Sequence, residues 1–199
     1  MRILRALAIA VVALSVASSA LAFDPEQTFK QGAFVLSLDG GGGAQNNLER
    51  HERQTGLDLW WIQGRASLLP FGTIGKDSFL YGAFELGLEP MYQRYFHNAD
   101  GYFAGLGLAA RYDFLSLGIF APYLELGVAA GGTNLRVIEI DSSFAFRLYG
   151  GVGASLFVAD NAAIYAGYRL VHLSNGNTSR PNRGFEADTG VVGVSFFFP

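Results

Sequence analysis

The sequence predicts an all-β protein, an eight-stranded antiparallel transmembrane β-barrel of the outer-membrane type. Three observations favour this class. Half of the residues are apolar, and the chain contains 26 glycines and 17 phenylalanines. After the N-terminus, no segment approaches the roughly 20 continuous apolar residues that a membrane-spanning helix needs. Eight segments instead alternate between apolar and small or polar residues, with the two-residue period of a β-strand.

The N-terminus has the features of a secretory signal peptide. Arg2 and Arg5 form a basic start, an apolar run follows, and the small-residue sequence Ala-Leu-Ala at 20–22 resembles a cleavage site. We therefore expect residues 1–22 to be removed after export. The remaining residues, 23–199, are expected to form one barrel domain.

The eight predicted strands occupy residues 32–38, 57–68, 78–92, 102–114, 120–130, 144–158, 163–172 and 186–198. Most are close to the ~9–11 residues that a tilted strand needs to cross a bilayer. In the fourth strand, Leu106 and Leu108 share one face, while Gly107 and Arg111 share the other. We expect the apolar faces to point toward lipid and the opposite faces to point into the lumen.

The lumen-facing series carries four basic and four acidic side chains: Arg65, Arg111, Arg147 and Arg169 with Glu85, Glu89, Asp113 and Glu125. Buried charges are tolerated when they are paired, and an eight-stranded barrel has an interior that side chains fill. A soluble sandwich would instead expose Lys, Thr, Ser and Glu on that face. A soluble eight-stranded barrel of the lipocalin type remains the alternative fold.

The predicted connections alternate in length, which is typical of outer-membrane barrels with short periplasmic turns and long outer loops. The long connections are 39–56, 93–101, 131–143 and 173–185, and the short ones are 69–77, 115–119 and 159–162. This pattern places both chain ends on the periplasmic side. The glycine run at 40–43 lies in the first long connection. It lacks the Lys-Ser/Thr of a phosphate-binding loop, so we interpret it as a flexible outer loop.

Charge and cysteine content narrow the function classes. The net charge is −3 and no basic run is present, so a nucleic-acid partner is not expected. The chain has no cysteine, so disulfide bonds cannot form within it. No cluster of metal ligands is visible in the sequence, and neither a metal nor another cofactor is expected.

Three polar residues interrupt the lipid-facing series at its outer end. His172 continues the apolar face of the seventh strand, Ser174 follows it by two residues, and Glu186 belongs to the matching series of the eighth strand. Isolated polar groups facing lipid are unfavourable. A hydroxyl, an imidazole and a carboxylate are also the parts of a hydrolytic triad. We therefore predict a catalytic site that faces lipid and acts on a lipid ester.

Each of these residues also has an ordinary interpretation. His172 and Ser174 would serve equally as interfacial polar residues, Glu186 as a loop charge, and the dipeptide at Asn175 as a hairpin turn. The other two histidines, His51 and His97, are predicted to lie in outer loops without a matching serine and acid, and are interpreted as surface residues.

The segment from His172 to Glu186 resembles the active-site segment of the lipid A 3-O-deacylases (PagL-type enzymes), which are eight-stranded outer-membrane barrels. The resemblance covers about fifteen residues. It implies that Ser174 is the nucleophile, that His172 is the general base, and that Glu186 orients the imidazole. It further implies that Asn182 and the backbone near Asn175 and Gly176 stabilise the oxyanion.

The same resemblance implies a substrate, lipid A of lipopolysaccharide, in the outer leaflet of a Gram-negative outer membrane. Arg180 and Arg183 lie in the same predicted loop and would meet the lipid A phosphates, unless they are simply solvated. The sequence leaves open a homodimer. It also leaves open a non-catalytic barrel serving adhesion or envelope structure, and another envelope lipid acyl hydrolase or acyltransferase.

Overall fold

The structure, a computed structural model, describes residues 23–48 and 53–199. The predicted signal peptide and His51 lie outside the described residues. The elements are α1 (Pro25–Thr28), β1 (Phe34–Gln45), β2 (Leu57–Leu68), β3 (Thr73–Ile74), β4 (Gly82–His97), β5 (Gly101–Phe114), β6 (Phe120–Thr133), β7 (Phe144–Ala159), β8 (Ala162–Ser174) and β9 (Phe185–Phe198). In the described part of the chain, no helix has the length and apolar character to cross a membrane.

The eight long strands form a closed antiparallel sheet. From β4 to β9 each strand pairs with the next, β9 pairs with β1, β1 pairs with β2, and β2 pairs with β4. The two-residue β3 adds only a short pairing to the start of β4. Closure matters because an open sheet edge would leave backbone groups without hydrogen bonds in lipid. The predicted eight-stranded barrel is confirmed.

The two faces of each strand differ as the alternation predicted. On β5 and β6 the outward side chains are apolar. Leu106, Leu108 and Leu126 are 57%, 62% and 62% exposed. The inward Arg147 and Arg169 are buried, at 1% and 0%. An exposed aliphatic belt around a charged interior fits a barrel surrounded by lipid.

Several of the buried charges of the lumen form ion pairs. Arg65 contacts Glu89 at 2.6 Å and Glu125 at 2.9 Å, while Arg169 contacts Glu125 at 2.5 Å and Asp39 at 3.2 Å. Glu125 thus bridges two arginines at the centre of the barrel. Such pairing offsets the desolvation of charges that are taken out of water.

Apolar clusters close the lumen above and below this network. At the periplasmic end, Phe29 packs against Phe157 and Phe197, with ring centroids 5.8 Å and 4.9 Å apart. At the outer end, Tyr95 packs edge-to-face on Phe185 at 5.8 Å. The interior of the described barrel is filled by side chains, as expected for a barrel of eight strands.

The interpretation of residues 40–43 as a flexible outer loop is wrong. All four glycines lie in β1 and pair with both β2 and β9. A Cβ at Gly41 would lie 1.9 Å from the carbonyl oxygen of Gly190 and 2.2 Å from the ring of Trp61. The buried Trp61 ring occupies the space that a side chain at position 41 would take, so the glycine serves close packing rather than flexibility.

The predicted alternation of loop lengths fails in the first half of the chain. The outer connection between β4 and β5 is only 98–100, because the third predicted strand continues to His97. The periplasmic connection predicted at 69–77 extends over 69–81 and contains β3. The outer connections that remain long are 46–56, 134–143 and 175–184, and their described residues include those that contact the predicted site.

Candidate active site

His172 and Glu186 face each other across the antiparallel pair β8–β9. Their Cα positions are directly paired in the sheet register, and His172 Nδ1 lies 2.7 Å from Glu186 Oε1. Both are half-buried, while the residues that flank them in each strand are buried in the lumen. Strand parity therefore directs both side chains outward, to the side that carries the aliphatic belt.

The second oxygen of Glu186 is also held. The backbone N–H of Leu48 donates to Glu186 Oε2 at 3.2 Å, and the N–H of Asn46 donates to the Glu186 carbonyl oxygen at 2.9 Å. The segment that follows β1 thus fixes the carboxylate from the side opposite the imidazole. No residue pattern predicts this contact, because every residue except proline carries a backbone amide.

Gly184 lies against the free edge of the imidazole. It adopts φ +68°, and a Cβ there would lie 2.8 Å from His172 Cε1 and 3.2 Å from Nε2. Any side chain at 184 would therefore push the ring away, besides straining the backbone. Because Nδ1 is engaged with Glu186, Nε2 is the nitrogen available to act as a base.

Ser174 is the last residue of β8 and lies two positions beyond His172 on the same face. It pairs in register with Phe146 and is half-buried. Among residues 23–48 and 53–199, no hydrogen bond joins Ser174 Oγ to His172. The structure thus brings the imidazole and carboxylate together, and places Ser174 two residues further along the same face of β8, without a hydrogen bond to the imidazole. Catalytic hydrogen bonds often tighten only when substrate is bound.

A tight turn follows the serine. Thr178 N–H donates to the Asn175 carbonyl at 3.3 Å, and the two central residues, Gly176 and Asn177, both have φ +63°. These are the features of a type I′ turn. The Gly176 N–H has no acceptor in the described part of the chain.

The side chain of Asn182 forms hydrogen bonds with residues of this turn. Its Oδ1 accepts from the backbone N–H of Asn175 at 2.8 Å, and its Nδ2 donates to Asn177 Oδ1 at 3.1 Å. The Asn175 side chain is itself buried and donates to Ser179. The predicted oxyanion donors are therefore gathered in one loop, where the Asn175 N–H is already engaged and one N–H of Asn182 Nδ2 is unused.

The two arginines of this loop differ in their contacts. Arg183 Nη2 donates to the Arg53 carbonyl at 3.1 Å and lies 3.7 Å from the carboxylate of Glu139. Arg180 is exposed, and its side chain forms no hydrogen bond or ion pair with the residues that the structure describes. Of the two, only Arg180 is free to meet an external anion.

A second polar group on the lipid-facing side was missed by the sequence reasoning. Asp188 lies two residues beyond Glu186 on the same face of β9, and accepts hydrogen bonds from Tyr168 Oη and Asn46 Nδ2. Strand parity could have identified it, since it belongs to the same even series. It extends the polar patch one step toward the membrane interior.

His97 also differs from its prediction. It ends β4 rather than lying in a loop, and its Nδ1 is 2.9 Å from Asp58 Oδ2, so an acid is present. Its sequence neighbours are Phe96 and Asn98, and its register partner is Leu57.

Within the described residues, no three His, Cys, Asp or Glu side chains are grouped to hold a metal ion.

A family model described as "Lipid A 3-O-deacylase (PagL)" matches residues 36–195, which include every predicted site residue. No curated protein matches the chain.

Solved structures show the fold. The chain is similar to the crystal structure of the outer membrane enzyme PagL, at 16% identity and a TM-score of 0.62, over 79% of this chain and 97% of that one. It is also similar to Neisserial surface protein A, at 20% identity and a TM-score of 0.56, over 83% and 99%. The match of the family model extends over most of the barrel, and the chain belongs to the lipid A 3-O-deacylase (PagL) family.

Proposed function

We propose that this protein is an outer-membrane serine esterase that removes the ester-linked 3-position hydroxyacyl chain from lipid A. The observation that carries the proposal is the His172–Glu186 pair at 2.7 Å, on the lipid-facing side of a barrel whose family is that of the lipid A 3-O-deacylases. An ester hydrolase whose base points toward lipid has its substrate in the membrane.

The proposed chemistry uses three side chains and water. The Ser174 hydroxyl attacks the ester carbonyl carbon while His172 Nε2 accepts its proton, and Glu186 stabilises the resulting imidazolium through Nδ1–H. The tetrahedral intermediate then expels the sugar hydroxyl, which takes the proton from His172. Water, deprotonated by the same imidazole, attacks the acyl-serine; the acyl–oxygen bond breaks, the fatty acid leaves, and the imidazolium returns the proton to Ser174 Oγ.

The oxyanion of the intermediate needs fixed donors. We assign this role to the Gly176 N–H and to the unused N–H of Asn182, with Asn175 holding the turn in place. Such donors contribute roughly 3–4 kcal/mol each to stabilisation of the transition state. Asn amides and backbone amides supply them without adding a net charge to the membrane surface.

The substrate would lie with its phosphates outside and its acyl chains along the barrel wall. The exposed Arg180 suits a lipid A phosphate, whereas the contacts of Arg183 with Glu139 and Arg53 leave it a smaller part. The apolar belt below the site fits the outer leaflet of a Gram-negative outer membrane. A homodimer is not part of this proposal.

The molecular mass of lipid A from a host that produces the protein tests the proposal against its alternatives. The chain and its Ser174→Ala and His172→Ala variants would be produced in a Gram-negative host, and the lipid A analysed by mass spectrometry. We expect the parent chain to remove one hydroxyacyl group and both variants to remove none.

His97→Ala is the matched control, because it removes the other imidazole that is paired with a carboxylate. It should deacylate like the parent. An unchanged lipid A spectrum with correctly inserted parent chain would favour a non-catalytic barrel. A gain of acyl mass would indicate an acyltransferase, and release of phospholipid acyl chains another hydrolase.

A further inference from the structure

A buried carboxylate in the outer cap contacts the loops on both sides of the His172–Glu186 pair. Glu139 lies in the 134–143 connection between β6 and β7 and is fully buried. Its Oε1 accepts from Gln45 Nε2 at 2.9 Å and from Thr55 N–H at 2.8 Å, and its Oε2 accepts from Thr55 Oγ1 at 2.6 Å. The side chain of Glu139 thus joins its own loop to the 46–56 connection.

The backbone of the same residue holds the site loop. The Glu139 carbonyl accepts from the N–H of Arg183 at 2.9 Å and from that of Gly184 at 3.1 Å. Gly184 is the residue whose Cα lies against the imidazole of His172. Its backbone position is therefore fixed, in part, by a residue that belongs to a different loop.

Two further contacts align the neighbouring residues. Ile140 forms a β-bridge with Asn182, the proposed oxyanion residue, and Ser179 Oγ donates to the Asp141 carbonyl at 2.7 Å. The 134–143 connection thus runs alongside the 179–184 segment. On the other side of the pair, Asn46 and Leu48 follow β1. The backbone N–H of Asn46 donates to the carbonyl oxygen of Glu186, and that of Leu48 donates to its carboxylate.

We infer that Glu139 is a positioning residue for the esterase site: its side chain clamps Gln45 and Thr55, and its backbone carbonyl holds the 179–184 segment, around the His172–Glu186 pair. The inference rests on the proposed function only for its effect on turnover. The predicted ordering of the two segments by Glu139 can be tested without an active enzyme. Glu139 does not touch the proposed reacting atoms, and acts through Gly184 and Asn182.

The balance of interactions at Glu139 supports a role that depends on its charge. Burial acts to raise the pKa of its carboxyl, but the hydrogen bonds from the Thr55 hydroxyl and amide and from Gln45 act together against burial, and the pKa is lowered. Arg183 adds an ion pair at 3.7 Å. An ionised carboxylate with three donors and a nearby cation holds its loop more firmly than a neutral side chain would.

The test uses the full-length barrel in lipid vesicles with two variants, Glu139→Gln and Glu139→Ala. Hydrogen exchange measured by mass spectrometry reports on peptides that cover 53–57, where the amides of Thr55, Gly56 and Leu57 are bonded to Glu139 and Gln45, and 175–184. We expect faster exchange in both peptides, larger for Ala than for Gln, with the strand peptides unchanged. We also expect kcat for lipid A deacylation to fall by about tenfold to a hundredfold with KM nearly unchanged, because small displacements of catalytic groups have effects of this size.

Asp100→Asn is the matched control, since it breaks an exposed ion pair elsewhere at the outer rim, Arg94–Asp100 at 3.1 Å, without touching the contacts of Glu139. It should leave exchange and kcat unchanged. Thr55→Ser, which keeps the hydroxyl donor, should resemble the parent, while Thr55→Val should follow Glu139→Gln.

Unchanged exchange at 175–184 in Glu139→Ala would overturn the inference, whether or not the parent is active. Faster exchange with unchanged kcat would overturn the positioning role. If the parent itself removes no acyl chain, the proposed function fails, while the exchange data still decide whether Glu139 clamps the two segments.

Discussion

Two histidine–carboxylate pairs lie at the outer rim of this barrel, and their surroundings differ. His172 and Glu186 are 2.7 Å apart with side-chain exposures of 36% and 20%, whereas His97 and Asp58 are 2.9 Å apart and 60% and 39% exposed. Both pairs have the ion-pair geometry of a base and its orienting acid. Distance alone therefore does not distinguish a candidate catalytic pair from a surface pair.

The difference lies in what surrounds each pair. Around His172 the structure supplies a serine two residues away, a backbone donor on the second carboxylate oxygen, and a glycine against the ring. His97 ends its strand beside a three-residue connection and has no serine next to it in sequence or in register. A pair becomes useful for chemistry when its second nitrogen faces a nucleophile and its geometry is fixed from several sides.

The largest expected effect separates the two pairs directly. Glu186→Gln should lower kcat for lipid A deacylation by about 10⁴-fold, as loss of the orienting carboxylate does in serine hydrolases. Asp58→Asn, the equivalent change at the other pair, should leave kcat unchanged. Turnover of purified lipid A in detergent micelles by the two variants provides the measurement. Equal activities would mean that Glu186 does not orient a catalytic base.

A third carboxylate, inside the lumen, should affect stability instead of turnover. Glu125→Gln weakens the contacts with Arg65 and Arg169, which stay buried. We expect the free energy of unfolding to fall by roughly 3 kcal/mol, because breaking one partner of a buried ion pair leaves uncompensated charge. Urea unfolding in lipid vesicles would measure it, with kcat of the folded fraction unchanged. A parent-like midpoint would show that the lumen network is not a source of stability.

The packing of Gly184 against the ring can be tested with a matched glycine. Gly184→Ala should lower kcat by about tenfold to a hundredfold by displacing His172. Gly118 also has positive φ, +66°, but nothing lies within 4 Å of its Cβ position. Gly118→Ala thus reproduces the backbone strain without the contact, and should retain full kcat. If both variants lose activity equally, strain rather than ring position is responsible.

The smallest effect concerns pH and the outer cap. The pKa of Glu139 is lowered in the folded barrel, so its contribution to loop stability is complete above the unfolded value near ~4.3 and is lost as pH falls through the lower folded value. Amide protection of 179–184, corrected for intrinsic exchange, should stay constant from about pH 8 to about pH 5 and decrease below about pH 4. Glu139→Gln should show no such transition, and a transition in that variant would point to another group.

The fold class, and the face of the strand on which each site residue lies, could be predicted from the sequence alone. A two-residue alternation sorts each strand into two faces, so Leu106 outside and Arg169 inside follow without coordinates. The same parity put His172 and Glu186 on one face, and their register partnership made their contact foreseeable. The strands around residues 40–43 and 93–97 could not be bounded this way, because glycine and rim residues carry little periodic signal.

Contacts between distant loops were decided only by the tertiary structure. The amide of Leu48 on Glu186, the carbonyl of Glu139 on Gly184 and the acid beside His97 join residues far apart in the chain, and two of the three use backbone atoms that every residue possesses. Periodicity reports on which face a side chain takes, since that depends on local geometry. The distances that turn neighbouring polar groups into a working site depend on how the closed barrel brings its outer loops together.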